Sequence, residues 1–145
     1  MLLQLRIATN VATPIEERSE ALKSLASLTA ILPPSDIILL TADHRAIDPI
    51  VSITQEIDGS EYIIILFSLR ILQDLLMTGK HFSFSSFPPV LYVLFADNHD
   101  IWREHFAYLL QLSSELLLSE RFDVRLEAAA LLEQIATFGS IPLLF

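Results

Sequence analysis

The apolar residues of this chain repeat at an offset of 40. Residues 48–76 (DPIVSITQEIDGSEYIIILFSLRILQDLL) can be laid without a gap over residues 88–116 (PPVLYVLFADNHDIWREHFAYLLQLSSEL); few identities survive, but the apolar positions coincide. Pro49 falls on Pro89, Ile50 on Val90, Val51 on Leu91 and Ile53 on Val93. Farther on, Tyr62 falls on Trp102, Leu66 on Phe106, Leu69 on Leu109, Leu72 on Leu112 and Leu76 on Leu116. These last positions step by three or four residues, the spacing of one face of an α-helix. A unit of about 40 residues with a helix at a fixed place in it is the pattern of stacked helical repeats. Architectures of that kind bind other proteins.

Composition narrows the function classes. With 145 residues the chain is long enough for one domain with a substantial core, and 52% of it is apolar against 19% charged. Ser68 and Arg70 interrupt the longest apolar stretch. A membrane span needs about 20 apolar residues, so neither a span nor a membrane partner is expected. The N-terminal MLLQLRIATN has too short an apolar stretch, and no clear cleavage site, for a secretory signal. There is no cysteine, which excludes disulfides, thiolate metal sites and a cysteine nucleophile. That fits an intracellular setting, cytoplasmic or nuclear. The net charge of −9 and the nine scattered basic residues argue against nucleic acid, which needs clustered Lys and Arg. An acidic surface favours a basic protein partner instead.

The helix map follows from punctuation. Only Gly59, Gly79 and Gly139 occur, and the prolines fall where helices begin or separate. Thr13 is expected to cap a helix through TPIEERSEALKSLASLTAIL, with Pro14 at its first position and Glu16 and Glu17 in the first turn. Its apolar stripe is Leu22, Leu25 and Leu28. Ser35 and Asp36 cap a shorter helix, and Pro49 opens the next. Asp58-Gly59-Ser60 turns into a helix from Glu61 to Met77, whose YIIILFSLRIL is apolar nearly all round and therefore buried from several sides. The run Ile63-Ile64-Ile65 alone suggests a strand; within the helical period it is read as helix. Residues 78–87 read as a loop. Pro88-Pro89 then restarts a helix to Phe95, Asp97 to Asp100 form a turn, and a second helix runs from Ile101 to about Leu118. The stretch FDVRLEAAALLEQIATF is helical and Gly139 is its expected C-cap.

Several of these segments resemble armadillo and HEAT repeats. AIDPIV (46–51), SFPPVL (86–91) and SIPLL (140–144) are similar to the small-x-Pro-aliphatic opening of an armadillo unit. EALKSLASL (20–28), ILFSLRILQDLL (65–76), HFAYLLQL (105–112) and AAALLEQIA (128–136) are similar to its closing helix, and DVRLEAAALL (123–132) to a HEAT helix. The resemblance implies an all-α, right-handed α-solenoid of about three and a half repeats over residues 1–145. GSIPLLF resembles the start of a further unit, so the chain is expected to be the N-terminal piece of a longer protein. MLLQLRIA is expected to cover the first helix as a cap.

In nuclear-import members of that family a Trp and an Asn four residues on line the groove and hold a basic peptide. The matching Trp positions here are Lys23, Phe67, Ala107 and Ala130, at steps of 44, 40 and 23 residues; the Asn positions are Ser27, Ile71, Gln111 and Gln134. The ladder is absent. The partner-binding candidates are Lys23, Ser27, Phe67, Ile71, Ala107, Gln111 and Gln134, a mixed set better suited to an amphipathic helix than to an extended basic peptide. The expected function is a non-catalytic scaffold with no cofactor and no bound metal, its partner an amphipathic helix or basic segment. Pairing of two copies through an exposed end would give a homodimer.

The competing reading is a small His-dependent enzyme. Asp97, His99, Asp100, Glu104 and His105 form the richest polar cluster, and His99-Asp100 has the paired look of a metal-dependent phosphohydrolase. The surrounding stretch has a faint likeness to a sugar-phosphotransferase IIA domain, without its Pro-His phosphorylation motif. His44 beside Asp43 reads as a polar helix end, and Asp97 to Asp100 as turn and cap. No Gly-rich phosphate loop, Gly-x-Ser-x-Gly elbow or zincin His pair is present. Tyr62 and Trp102 are either matched core residues or aromatic anchors for a partner.

Overall fold

The computed structural model of the chain describes residues 2–10, 12–41, 47–56, 61–76 and 89–140. These form seven α-helices with no strand among the described residues: α1 (Leu2–Thr9), α2 (Ile15–Ile31), α3 (Pro34–Thr41), α4 (Ile47–Glu56), α5 (Tyr62–Leu76), α6 (Pro89–Leu116) and α7 (Phe122–Ser140). The all-α expectation holds, and Ile63-Ile64-Ile65 lies in helix α5.

Local chemistry sets the boundaries. Asn10 closes α1, its side-chain oxygen accepting from the Ala12 N–H at 3.0 Å. Pro14 sits one place earlier than expected, at the N-cap, with φ −54° and ψ 146°. Its carbonyl accepts the first helical bond, from the Arg18 N–H at 3.0 Å. Glu61 plays that part for α5, accepting from Ile64 and Ile65.

Helix α5 organises the packing. Nine of its fifteen residues are buried, more than the single stripe a surface helix hides. It packs on α2, α4 and α7, and so lies between α2 and α7. Helices adjacent in sequence pair as α1 with α2, α4 with α5, and α6 with α7, while α1 also packs on α4 and α3 on α6. Two side-chain bonds tie α6 to α4: His105 Nε2 lies 2.6 Å from Asp48 Oδ1, and the Tyr108 and Thr54 hydroxyls are 3.0 Å apart. Both partners advance along the chain in the same sense, so α4 and α6 run parallel. Helices α2, α5 and α7 thus form one layer, and α1, α4 and α6 the other. The core between them holds Leu22, Ile37, Ile38, Ile50, Ile53 and Trp102 among others.

Several expectations change. Ser35 and Asp36 lie inside α3 rather than capping it, and α4 begins at Ile47, ahead of Pro49. Residues 97–100 are not a turn: α6 runs unbroken from Pro89 to Leu116. Described residues aligned by the 40-residue offset differ structurally. Trp102 is buried in the core, whereas Tyr62 is half-exposed at the start of α5. The helices of the α5 layer begin at Ile15, Tyr62 and Phe122, steps of 47 and 60 residues. Gly139 is not a C-cap either, because α7 continues through it to Ser140. The loop at 78–87, the Asp43-His44-Arg45 segment, His81 and IPLLF (141–145) lie outside the described residues.

Arg18 is buried on α2, and its Nε donates to the Ala8 carbonyl at 2.8 Å. That satisfies one of the last four carbonyls of α1, which no intrahelical donor reaches. Ser68 is buried on α5 with no hydrogen-bond partner for its hydroxyl among the described residues.

Two predictions follow from the packing. His99→Pro, read by urea denaturation, should cost about 3 kcal/mol or more by breaking α6; a near-neutral result would restore the turn. Ser68→Ala should be neutral or stabilising, because the lost hydroxyl makes no bond. Destabilisation above about 1 kcal/mol would reveal a partner for it.

Candidate binding surface

The layer formed by α2, α5 and α7 carries an open surface. Helices α2 and α7 flank a shallow cleft of roughly 350 Å³ with α5 as its floor. Lys23, Ser27 and Ala30 line it from α2, Phe67, Arg70 and Asp74 from α5, and Glu127 from α7. Phe67 and Arg70 can share this strip because they stand three residues apart on a helix. Lys23, Ser27, Ala30 and Arg70 are exposed, whereas Phe67 and Asp74 are half-buried. The floor is therefore one aromatic ring among charges of both signs. The Arg70 guanidinium carbon lies 5.5 Å from the centre of the Phe67 ring.

Hydrogen bonds hold the three helices in register. Thr29, buried on α2, has its hydroxyl 3.0 Å from Asp74 Oδ2 on α5. On the other side, Glu127 of α7 receives Arg70 Nε at 3.1 Å on one carboxylate oxygen and Gln73 Nε2 at 2.7 Å on the other. Gln73 Oε1 in turn accepts from Gln134 Nε2 at 3.2 Å. One carboxylate thus organises two side chains of α5. A hydrogen bond to a charged group contributes more than a neutral one.

The candidates from sequence separate into three groups. Lys23, Ser27 and Phe67 meet in the cleft, and Gln134 joins through Gln73 as a strut between helices. Ile71 is 1% exposed and belongs to the core; on α5 it points inward because Phe67, Arg70 and Asp74 occupy the outward strip. Ala107 and Gln111 are exposed on α6, in the other layer, away from the cleft. Their selection rested on the 40-residue register, which places HFAYLLQL opposite α5 although it belongs to the partner layer of α4. Sequence reasoning missed Arg70, Gln73, Asp74 and Glu127. The signal available was the 3–4 spacing of Phe67, Arg70 and Asp74, the polar strip of an otherwise apolar helix.

A second open region follows the N-terminal ends of the same helices. The starts of α2 and α5 border one cleft, and the start of α5, the end of α6 and the start of α7 border another. The three starts therefore lie along one edge and the helices run parallel. Tyr62 stands between the two clefts, and the Arg121 guanidinium lies 3.4 Å above its ring. Asp123 accepts two bonds from Arg121, both at 3.2 Å. That pairing holds the Asp123 carboxyl below, and the Arg121 guanidinium above, their ordinary ranges.

Only part of the histidine cluster lies among the described side chains. His105 faces α4 and bonds Asp48, Asp100 and Glu104 are exposed, and the side chains of Asp97 and His99 lie outside the described set. Among the described residues no group of His, Asp and Glu could hold a metal ion. Nor is any described helix long and apolar enough to cross a membrane. Comparison with protein-family models, curated proteins and solved structures finds no match.

Glu127→Ala should destabilise by about 1–3 kcal/mol, since it strips Gln73 and Arg70 of their acceptor. Arg70→Ala, which removes one exposed ion pair, should cost less than about 1 kcal/mol. Equal costs in urea denaturation would show that Glu127 is not the organising group.

Proposed function

We propose that this chain is a segment of a right-handed α-solenoid of armadillo/HEAT-like type and acts as a non-catalytic protein–protein interaction scaffold. The observation that carries the reading is the parallel row α2–α5–α7, with an open, mixed cleft along it and the second row α1–α4–α6 behind. In a stacked array each unit contacts only its neighbours, and the row presents a continuous recognition surface. The units are α1–α2, α4–α5 with α3 leading into them, and α6–α7. In this reading the helix-pair register takes the place of the 40-residue one.

The cleft takes a segment of a partner protein. Phe67 offers an apolar contact and Lys23 an exposed cation, beside the Arg70–Glu127 ion pair. Such a mixed strip suits one side of an amphipathic helix. An intracellular setting, cytoplasmic or nuclear, agrees with the cysteine-free composition.

The array and the binding role are tested separately. Because the chain has no cysteine, Ser24→Cys on α2 and Ala129→Cys on α7 can be spin-labelled as a pair. Neighbouring helix axes lie 8–10 Å apart, so a row separates α2 from α7 by about 20 Å, whereas a closed bundle brings them to about 10 Å. The shorter distance would sink the solenoid. For binding, proteins captured by the full chain are retested against Phe67→Ala and Lys23→Glu. The reading expects losses of about tenfold or more for at least one partner, the size of a modest hot spot; retention by both variants refutes the cleft.

A further inference from the structure

The edge where α2, α5 and α7 begin carries exposed apolar and acidic side chains that the cleft does not use. Its two hollows, roughly 520 and 470 Å³, meet at Tyr62. Large apolar side chains stand open along it: Ile15 is 37% exposed, Ile63 40% and Leu118 87%. Five carboxylates border the same hollows, Glu16, Glu20 and Glu61 in one and Glu115 and Glu120 in the other. Among the described residues that border them Arg121 is the cation, and Asp123 already neutralises it.

Acids in a first helical turn ordinarily answer the helix dipole, and Glu16 stands in such a turn. The magnitudes decide how much charge is left over. Three helix N-termini supply roughly half a positive charge each, about 1.5 in all. Against five carboxylates the edge keeps an excess of about 3.5 negative charges. An apolar strip with that excess does not suit a second copy of this chain, which would bring the same five acids to the contact. It suits a cationic partner.

We infer that this edge is a docking surface, distinct from the cleft, for a basic amphipathic helix of a partner protein. Apolar side chains of that helix fill the two hollows beside Tyr62 and cover Ile63 and Leu118, while its Lys and Arg residues meet the five carboxylates. Three helices in a row span about 20 Å between outer axes. A helix rising 1.5 Å per residue crosses that in about 13 residues, close to four turns.

The probes are two fluorescein-labelled helical peptides of about 14 residues with the same leucine seam, one flanked by Lys and the other by Glu. Each is titrated with the full chain at near-physiological salt and followed by anisotropy. The Lys peptide should bind saturably with one-to-one stoichiometry and the Glu peptide should not. Glu16→Gln/Glu61→Gln/Glu120→Gln should weaken the Lys peptide about tenfold. Asp100→Asn/Glu104→Gln/Glu133→Gln, with the same change in net charge, should alter it by no more than about twofold. Phe67→Ala should leave it unchanged, which separates this surface from the cleft. Equal loss in both triple variants would reduce the binding to non-specific attraction, and equal binding of the two peptides would remove the role of charge. The absence of saturable binding overturns the proposal. So does a dimer in light scattering that the edge variant abolishes, since the occupant would then be a second copy.

Discussion

The arrangement depends on one helix that cannot face water. Ile64, Ile65, Leu69, Ile71, Leu72, Leu75 and Leu76 of α5 point in too many directions for a single partner to cover. Each such side chain contributes about 1.5–3 kcal/mol when buried, so exposing even one flank would forfeit much of the marginal stability a domain of this size has. Helices α2, α4 and α7 are the covers. Each of them needs only one apolar stripe toward α5, which frees the rest of its surface. That division of labour explains why α2 can carry Glu16, Glu17, Glu20 and Lys23 while its neighbour in the layer carries almost no charge.

Apolar contact sets how strongly the helices pack but leaves sliding along their axes weakly specified. Directional bonds supply the register. Arg18 reaches the Ala8 carbonyl across α1 and α2, His105 and Tyr108 reach Asp48 and Thr54 across α6 and α4, and Glu127 gathers Arg70 and Gln73 across α7 and α5. Each joins helices far apart in sequence or separated by a turn. Displacing α7 along α5 by one residue would move Glu127 about 1.5 Å, enough to degrade bonds of 2.7 and 3.1 Å. The buried Thr29 beside Asp74 has the same effect between α2 and α5.

What the sequence announced and what it concealed divide along the same line. Helices α2, α5 and α7 are readable because their signals are local: Pro14 with Glu16 and Glu17, the all-round apolar run from Tyr62, and the alanine-rich face after Asp123. The continuity of α6 was hidden because Asp97, Asn98 and Asp100 are turn formers in isolation. The 40-residue match was misleading for a related reason. Any two buried helices share a 3–4 apolar spacing, so the pattern identifies a buried face without saying which layer it belongs to. Lys23, Ser27 and Phe67 were found because α2 and α5 do share a layer; Ala107 and Gln111 were misplaced because α6 and α5 do not. Ile71 shows the limit of spacing four residues from Phe67, since that step on α5 leads around toward the core.

The outward strip of α5 also connects the two surfaces. Ile63, Phe67, Arg70 and Asp74 follow one another at steps of four, three and four residues, and each is at least partly exposed. Ile63 lies at the acidic edge and Asp74 at the far end of the cleft. Eleven residues at 1.5 Å each make this strip about 16 Å long. Because α5 is buried on its other sides, everything it offers to a partner lies along that line. A partner settled at the edge covers Ile63, the first step of the strip, and its chain then lies close enough to Phe67 for a short extension to enter the cleft. Two modest surfaces joined in that way reinforce each other through effective concentration without a new contact being made. In the proposed scaffold, the buried character of one helix therefore sets where recognition would occur and would place the two surfaces within reach of one ligand.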